Sequence, residues 1–219
     1  MIAERVDLTQ TRLQVYELLA SCVLSEPTGD SLAAAGTLFS HLLPALQLPV
    51  PDLAAVQQEY YDRLFVPMSG RYVPPFESAI RGRTVRKGGR PGYGPLMGPA
   101  ACEVGAAYAA VGFDPAVLTM YEPIRGLRMP DFLGFELAFM AFLVKEQAAA
   151  EASGATEQAQ RWHSLQRQFL EEHLTGWTAD LATLAGEAGP GFYAELYQAI
   201  HAWATSDLGE MIAPFEGGM

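Results

Sequence analysis

Two carboxylates, Asp131 and Glu136, and four histidines, His41, His163, His173 and His201, are the side chains of this 219-residue chain best suited by type to do chemistry. The histidines are spaced poorly for metal work. None follows a glutamate by three residues and no His-x-x-x-His pair occurs, so no single helix face aims two ligands at a di-iron or zinc centre. Gly92-Tyr-Gly94-Pro-Leu-Met-Gly98 is rich in glycine, yet Pro95 removes an N–H that a phosphate cradle would use. No Gly-Lys-Ser/Thr and no preceding strand accompany it. A Gly-x-Ser-x-Gly elbow is also missing. The sequence therefore predicts no catalytic residue, no metal and no cofactor.

The carboxylates ask a different question. Glu136 lies in Phe132-Leu-Gly-Phe-Glu-Leu-Ala-Phe-Met-Ala-Phe-Leu143, a run apolar nearly all round, which marks a central helix. A carboxylate buried there must be paired, hydrogen-bonded or protonated. A structural partner, such as an arginine or a backbone N–H, and a functional anion are both open readings. Asp131 follows Pro130 at the helix start, where an N-cap is expected. Gly134 lets a helix or a ligand approach that face closely. Trp162, Trp177 and Trp203 read as core anchors, and His173, one turn before Trp177, as an interior hydrogen-bonder. Tyr61 and Phe65 share a face at i, i+4, and Pro74-Pro75 fixes Phe76 in an extended setting. Aromatics beside a rigid loop suit a peptide groove.

The elements that must position these groups are helical. Leu8, Arg12, Val15, Leu19 and Cys22/Val23 recur every three to four residues, with Arg12 the polar exception. Glu26-Pro-Thr-Gly-Asp30 stops that helix, and Asp30 or Ser31 is placed to cap the next, through Leu46. Pro49 and Pro51 end it, and Asp52 opens a helix carrying Leu53, Val56, Tyr60, Leu64 and Phe65. Residues 66–98 show no period and are dense in proline and glycine, predicting one long loop. Helices resume at Pro99 to Val111, stopped by Gly112, and from Asp131 to about Ala152. The residues Trp162 to Leu170 predict another helix, then a break at Gly176, and a further break at Gly186 to Gly191. Phe192, Leu196, Ile200 and Trp203 close the bundle, and a tail from about 209 to 219 reads as flexible. The expected fold is all-α, a single-domain helical bundle spanning 1–219.

Composition limits the partners. Half of the residues are hydrophobic, so a sizeable core can form, and the net charge of -11 disfavours nucleic acid and anionic membranes. It favours basic ligands through long-range steering. Arg71, Arg81, Arg83, Arg86, Lys87 and Arg90 crowd into the 66–98 segment against the one acid Glu77, leaving the helical body more acidic still. Cys22 and Cys102 form no Cys-x-x-Cys and read as reduced thiols. No basic-then-apolar leader opens the chain, and the longest apolar run, broken by Glu136, is too short to span a bilayer. A cytoplasmic protein without membrane insertion is expected.

Four motifs then occur in order: Tyr61-x-x-Leu64-Phe65; Pro74-Pro75-Phe76-Glu77-Ser78; Pro130-Asp131-Phe132-Leu133-Gly134-x-Glu136-Leu137-x-Phe139-Met140; and His173-Leu174-x-x-Trp177. Over roughly residues 10–205 the chain resembles the TorD/DmsD family of redox-enzyme maturation chaperones. The resemblance implies a non-enzymatic chaperone dedicated to a molybdenum-containing oxidoreductase. Such a protein binds the twin-arginine leader and immature body of the catalytic subunit until its cofactor is inserted, before export. By resemblance the peptide groove falls at Tyr61, Leu64, Phe65, Tyr72, Pro75, Phe76 and Ser78, facing Asp131, Phe132 and Glu136. The family's histidine after the motif aspartate is replaced here by Phe132. Arg83, Arg86, Lys87 and Arg90 become candidates for an anion or client contact. Two other readings stand beside this one: a maturation factor holding a nucleotide or molybdopterin in the basic glycine loop, and a non-selective helical subunit of a larger complex.

Overall fold

The computed structural model describes residues 2–42, 52–85 and 91–212. Its helices are α1 Ile2–Leu24, α2 Gly29–Leu42, α3 Leu53–Leu64, α4 Glu77–Arg81, α5 Pro99–Val111, α6 Glu122–Arg125, α7 Leu133–Ala152, α8 Thr156–Phe169, α9 Thr175–Glu187 and α10 Phe192–Ile212. A two-residue antiparallel hairpin, β1 Thr84–Val85 with β2 Pro91–Gly92, is the strand pairing between named strands among the described residues. The all-helical expectation holds. Helix α7 is the axis: Leu133 through Ala141 are all buried, as an all-round apolar run requires. Helix α1 packs along one side of it and α8 along another, while α9 and α10 pair beside them. One continuous apolar cluster joins Val15 on α1 to Ala204 on α10.

Polar side chains from distant elements tie the helix ends. The last carbonyls of α1 have no intrahelical partner. Cys22 O accepts from Tyr193 Oη at 3.0 Å, Val23 O from Tyr60 Oη at 3.3 Å and Leu24 O from the Tyr121 N–H at 2.7 Å. At the junction of α9 and α10 a buried ion pair does the same work on both ends. Arg63 donates to Ala185 O at 2.9 Å and to Gly189 O, while Glu59, 2.5 Å from the Arg63 Nε, accepts the first N–H groups of α10 from Phe192 and Tyr193. Positive charge sits at the helix C-terminus and negative at the N-terminus, as the macrodipole favours. Gly191 is required here because a Cβ would collide with the Glu59 carboxylate.

Several local expectations change. Thr28, rather than Asp30 or Ser31, caps α2: its Oγ1 accepts the Ser31 N–H at 3.2 Å and Ser31 Oγ returns the bond to the Thr28 N–H at 2.9 Å, a reciprocal box. Leu8 is 60 % exposed, whereas Arg12 turns inward to Asp207 at 2.6 Å. No break occurs at Gly176. Helix α8 continues through a π-helical turn, Leu170–Leu174, straight into α9, and Gly176 is glycine because the Arg81 guanidinium lies where its Cβ would be. The expected run of α2 to Leu46 and the Pro49 and Pro51 breaks fall outside the described residues. So do Arg86, Lys87, Arg90 and residues 213–219; the start of the expected tail, 209–212, is helical.

The described part of the 66–98 segment is mostly irregular, yet its centre is threaded through the interior. After a 3-10 turn at Pro67–Ser69, residues Val73 to Ile80 are buried without interruption and include α4. Buried backbone needs hydrogen-bond partners, and residues 131–133 supply them. Glu77 N donates to Asp131 O at 3.0 Å, Leu133 N to Pro75 O at 2.9 Å, and Phe76 and Phe132 form an isolated antiparallel bridge. The glycines of the 92–98 stretch have a packing role. Gly94 donates its N–H to Ala79 O at 2.9 Å, a Cβ on Gly94 would strike Gly82, and one on Gly98 would strike Ser78.

Candidate functional site

The pairing of 75–78 with 131–133 brings the starts of α4 and α7 together, and the carboxylates and the histidine of the motifs converge there. Asp131 does not cap its own helix; Phe132 holds that position without a side-chain bond. Asp131 Oδ2 instead accepts the Ser78 N–H at 2.8 Å, capping α4 from across the junction. Ser78 Oγ in turn accepts the Ala101 N–H at 3.2 Å near the start of α5. Glu77 is fully buried; its Oε2 lies 2.9 Å from His173 Nδ1 and its Oε1 lies 2.8 Å from Arg81 Nη2. Glu136, also fully buried, accepts from Trp177 Nε1 at 3.1 Å. The partner expected as an arginine or a backbone N–H is thus a tryptophan. His173 and Trp177, one helical turn apart, reach two adjacent carboxylates from the π-turn and the start of α9.

Burial is the main force on the protonation of this hub. It pushes Glu136 well above its ordinary value, and the nearby Glu77 and Asp131 carboxylates push the same way, against the smaller effect of the Trp177 N–H. Asp131 is raised too, chiefly by burial, with the bonds from Ser78 opposing. Glu136 Oε1 accepts no hydrogen bond among the described residues. Burial and the neighbouring carboxylates favour a proton on the Glu136 carboxyl group. The hub is therefore a buried structural junction rich in carboxyl groups. Among the described residues no group of three or more His, Cys, Asp or Glu is arranged to hold a metal ion.

The residues expected to line one groove separate into two sets. Leu64, Pro75, Phe76, Ser78, Asp131, Phe132 and Glu136 are buried, the last four around or within the hub, and the rings of Phe76 and Phe132 lie 5.2 Å apart. Tyr61, Phe65 and Tyr72 are half-buried and reach the surface. Tyr61 and Phe65 pack with Tyr121 around the fully buried Tyr60 at centroid distances of 5.3 to 6.5 Å. Tyr61 Oη donates to Glu26 at 2.7 Å. Val66 and Met68, just past this cluster, are exposed at 40 % and 93 %. Tyr72 packs edge-on against Tyr93. Arg83 is pinned by both nitrogens to Asp180 on α9, beside a cavity of about 510 Å³ that it lines with Arg81, Thr84 and Glu187.

Sequence reasoning missed Tyr60 and Tyr121 as the centre of the aromatic cluster, and the Glu77–His173 pair. The i, i+4 spacing of His173 and Trp177 was the available signal for the pair. It also missed a groove of about 550 Å³ between α5 and the α8–π segment, floored by Phe139.

The family model described as nitrate reductase delta subunit matches residues 29–183 of this chain. The perchlorate reductase assembly chaperone protein of Dechloromonas aromatica (strain RCB) is 28 % identical over 228 residues, covering 96 % of this chain and 94 % of that protein. The matched span contains all four motifs and the whole hub that they build. The chain belongs to the nitrate reductase delta subunit family, which is where its resemblance to the TorD/DmsD chaperones had pointed.

Proposed function

We propose that this protein is a client-specific assembly chaperone for a molybdenum-containing oxidoreductase, binding the twin-arginine leader and the immature catalytic subunit and assisting cofactor insertion before export. The observation that carries this reading is likeness, over nearly the full length of both chains, to a protein named as an assembly chaperone. The reading is non-enzymatic, in keeping with that name.

Two features of the surface support the finer part. Arg12, Arg63, Arg71, Arg81, Arg83 and Arg125 are all engaged in internal ion pairs, so much of the positive charge is matched within the fold. A chain of net charge -11 then presents an acidic field suited to attracting a guanidinium-bearing leader. The half-buried Tyr61 and Phe65, continued by exposed Val66 and Met68, offer apolar area to an unfinished client. The glycine loop favours no nucleotide, because the Gly94 N–H is already bonded to Ala79.

Calorimetric titration with a synthetic twin-arginine leader peptide of a molybdenum-containing oxidoreductase tests the reading. Binding at micromolar affinity or tighter is expected, lost when both arginines become glutamine. Absence of binding by either peptide would remove the leader from the function.

A further inference from the structure

We infer that the groove between α5 and the α8–π segment is the seat of the arginine-bearing apolar segment of the client leader, an inference that rests on the leader-binding reading above. The groove has two walls of regular spacing. Glu103, Ala107, Ala110 and Val111 recur along one face of α5, and Leu165, Gln168, Phe169, Glu172 and His173 along one face of the opposing helix. Phe139 of α7 closes the floor.

The walls run in opposite directions, and their chemistry is sorted along the length. The start of α5 is held to α4 by Ala101 N and Ser78 Oγ, and His173 is held to α4 by Glu77. Glu103, Glu172 and His173 therefore share the end beside α4. Val111 and Leu165 lie toward the other end, where Phe113 packs on Phe139 and Phe142, and Phe142 on Trp162. One end is acidic and the other is apolar, with alanines keeping the α5 wall low between them. Glu172 is held in place by Gln168, whose Nε2 lies 3.1 Å from each carboxylate oxygen. Arg81 contacts the Glu172 carbonyl and is matched by Glu77, so it does not cancel the acidic end.

This polarity selects its occupant. From Glu103 to Val111 the wall is about 12 Å long at 1.5 Å per residue, room for about two turns of a bound helix or about four extended residues. A segment with guanidinium groups at one end and aliphatic residues following matches the groove in charge and in order. Guanidinium pairs with the Glu103 and Glu172 carboxylates, and the aliphatic body covers Ala107, Val111, Phe139 and Leu165. The aromatic face near Tyr61 then remains for the body of the client.

The test uses the full chain, the leader peptide and its double-glutamine form, read by calorimetry. Ala110 is exposed, so Ala110→Trp fills the groove from outside without entering the core. It is expected to weaken leader binding at least about tenfold while the melting temperature is kept. Glu103→Gln with Glu172→Gln is expected to lower affinity about three- to tenfold and to flatten its salt dependence. Leader binding by Ala110→Trp at the unaltered affinity would overturn the groove assignment and leave the chaperone reading intact. No leader binding by the unaltered protein would overturn both. A shift from dimer to monomer in Ala110→Trp, by light scattering, would show that a second copy covers the groove and would also overturn the assignment.

Discussion

Glu59 with Arg63, and Glu77 with Asp131 and Glu136, both bury charge where two helix ends meet, and they balance it differently. At the first junction the Glu59 carboxylate faces the buried Arg63 guanidinium, with Arg71 3.5 Å away on its outer side, and the remaining valences go to helix-terminal carbonyls and N–H groups. At the second, three carboxyl groups meet one histidine, one tryptophan N–H and an arginine whose side chain is 38 % exposed. At the first junction the buried acid is fully matched by positive charge. The second carries excess acid, and burial pushes Glu136 toward its protonated form. The contrast separates a joint closed by ion pairing from one whose strength varies with the protonation of Glu136.

Arg63→Met should produce the largest effect. It leaves Glu59 buried beside unsatisfied carbonyls, and a loss of about 3–5 kcal/mol in urea unfolding is expected. A loss below about 1 kcal/mol would mean that the first junction is not closed by this pair. Gly191→Ala comes next, since the Glu59 carboxylate that the new methyl meets is fixed by Arg63 and two N–H groups; about 1–3 kcal/mol should be lost.

Glu136→Gln tests the retained proton. The folded-state value of Glu136 lies above its ordinary 4.5, so the native protein holds this proton more tightly than the unfolded chain. The associated stability is complete below the unfolded value and declines as pH rises toward the folded one. Unfolding measured from about pH 5 to pH 8 should show the unaltered protein losing stability relative to Glu136→Gln, by at most about 1.4 kcal/mol per pH unit. Parallel pH profiles for the two proteins would refute a retained proton on Glu136. Gly176→Ala should matter least. Its methyl meets the tip of the flexible Arg81, and the gain in helix propensity of about 1 kcal/mol offsets the displacement, so a net change below about 1 kcal/mol is expected.

The comparison also explains what the sequence disclosed. Helices α5 and α7 were legible because strong local signals bound them: Gly112 at φ 74° ends α5, and the apolar run from Phe132 shows α7 to be central. The importance of Glu136 was legible for the same reason, because a lone carboxylate in such a run demands a partner. Its partner was not, since Trp177 lies 41 residues away and tertiary packing alone brings it there. Gly176 misled because a glycine that ends a helix and one that makes room for a guanidinium look alike in one dimension. Residues 73–80 misled similarly. Their backbone is satisfied by residues 131–133 rather than by local period, so an interior segment read as part of one long loop. The acidic end of the α5 groove escaped notice because neither helix stripe is unusual until the two face each other.

The π-turn at Leu170–Leu174 has a mechanical consequence. One extra residue in a turn advances the rest of a helix by about 100°. The long rod from Thr156 to Glu187 is thus cranked: its first half shows Leu165 and Phe169 to the groove, and its second half delivers Trp177 to Glu136. Excising a single residue from that turn would give a more regular helix and a misaligned one, with every side chain beyond it rotated away from its seat.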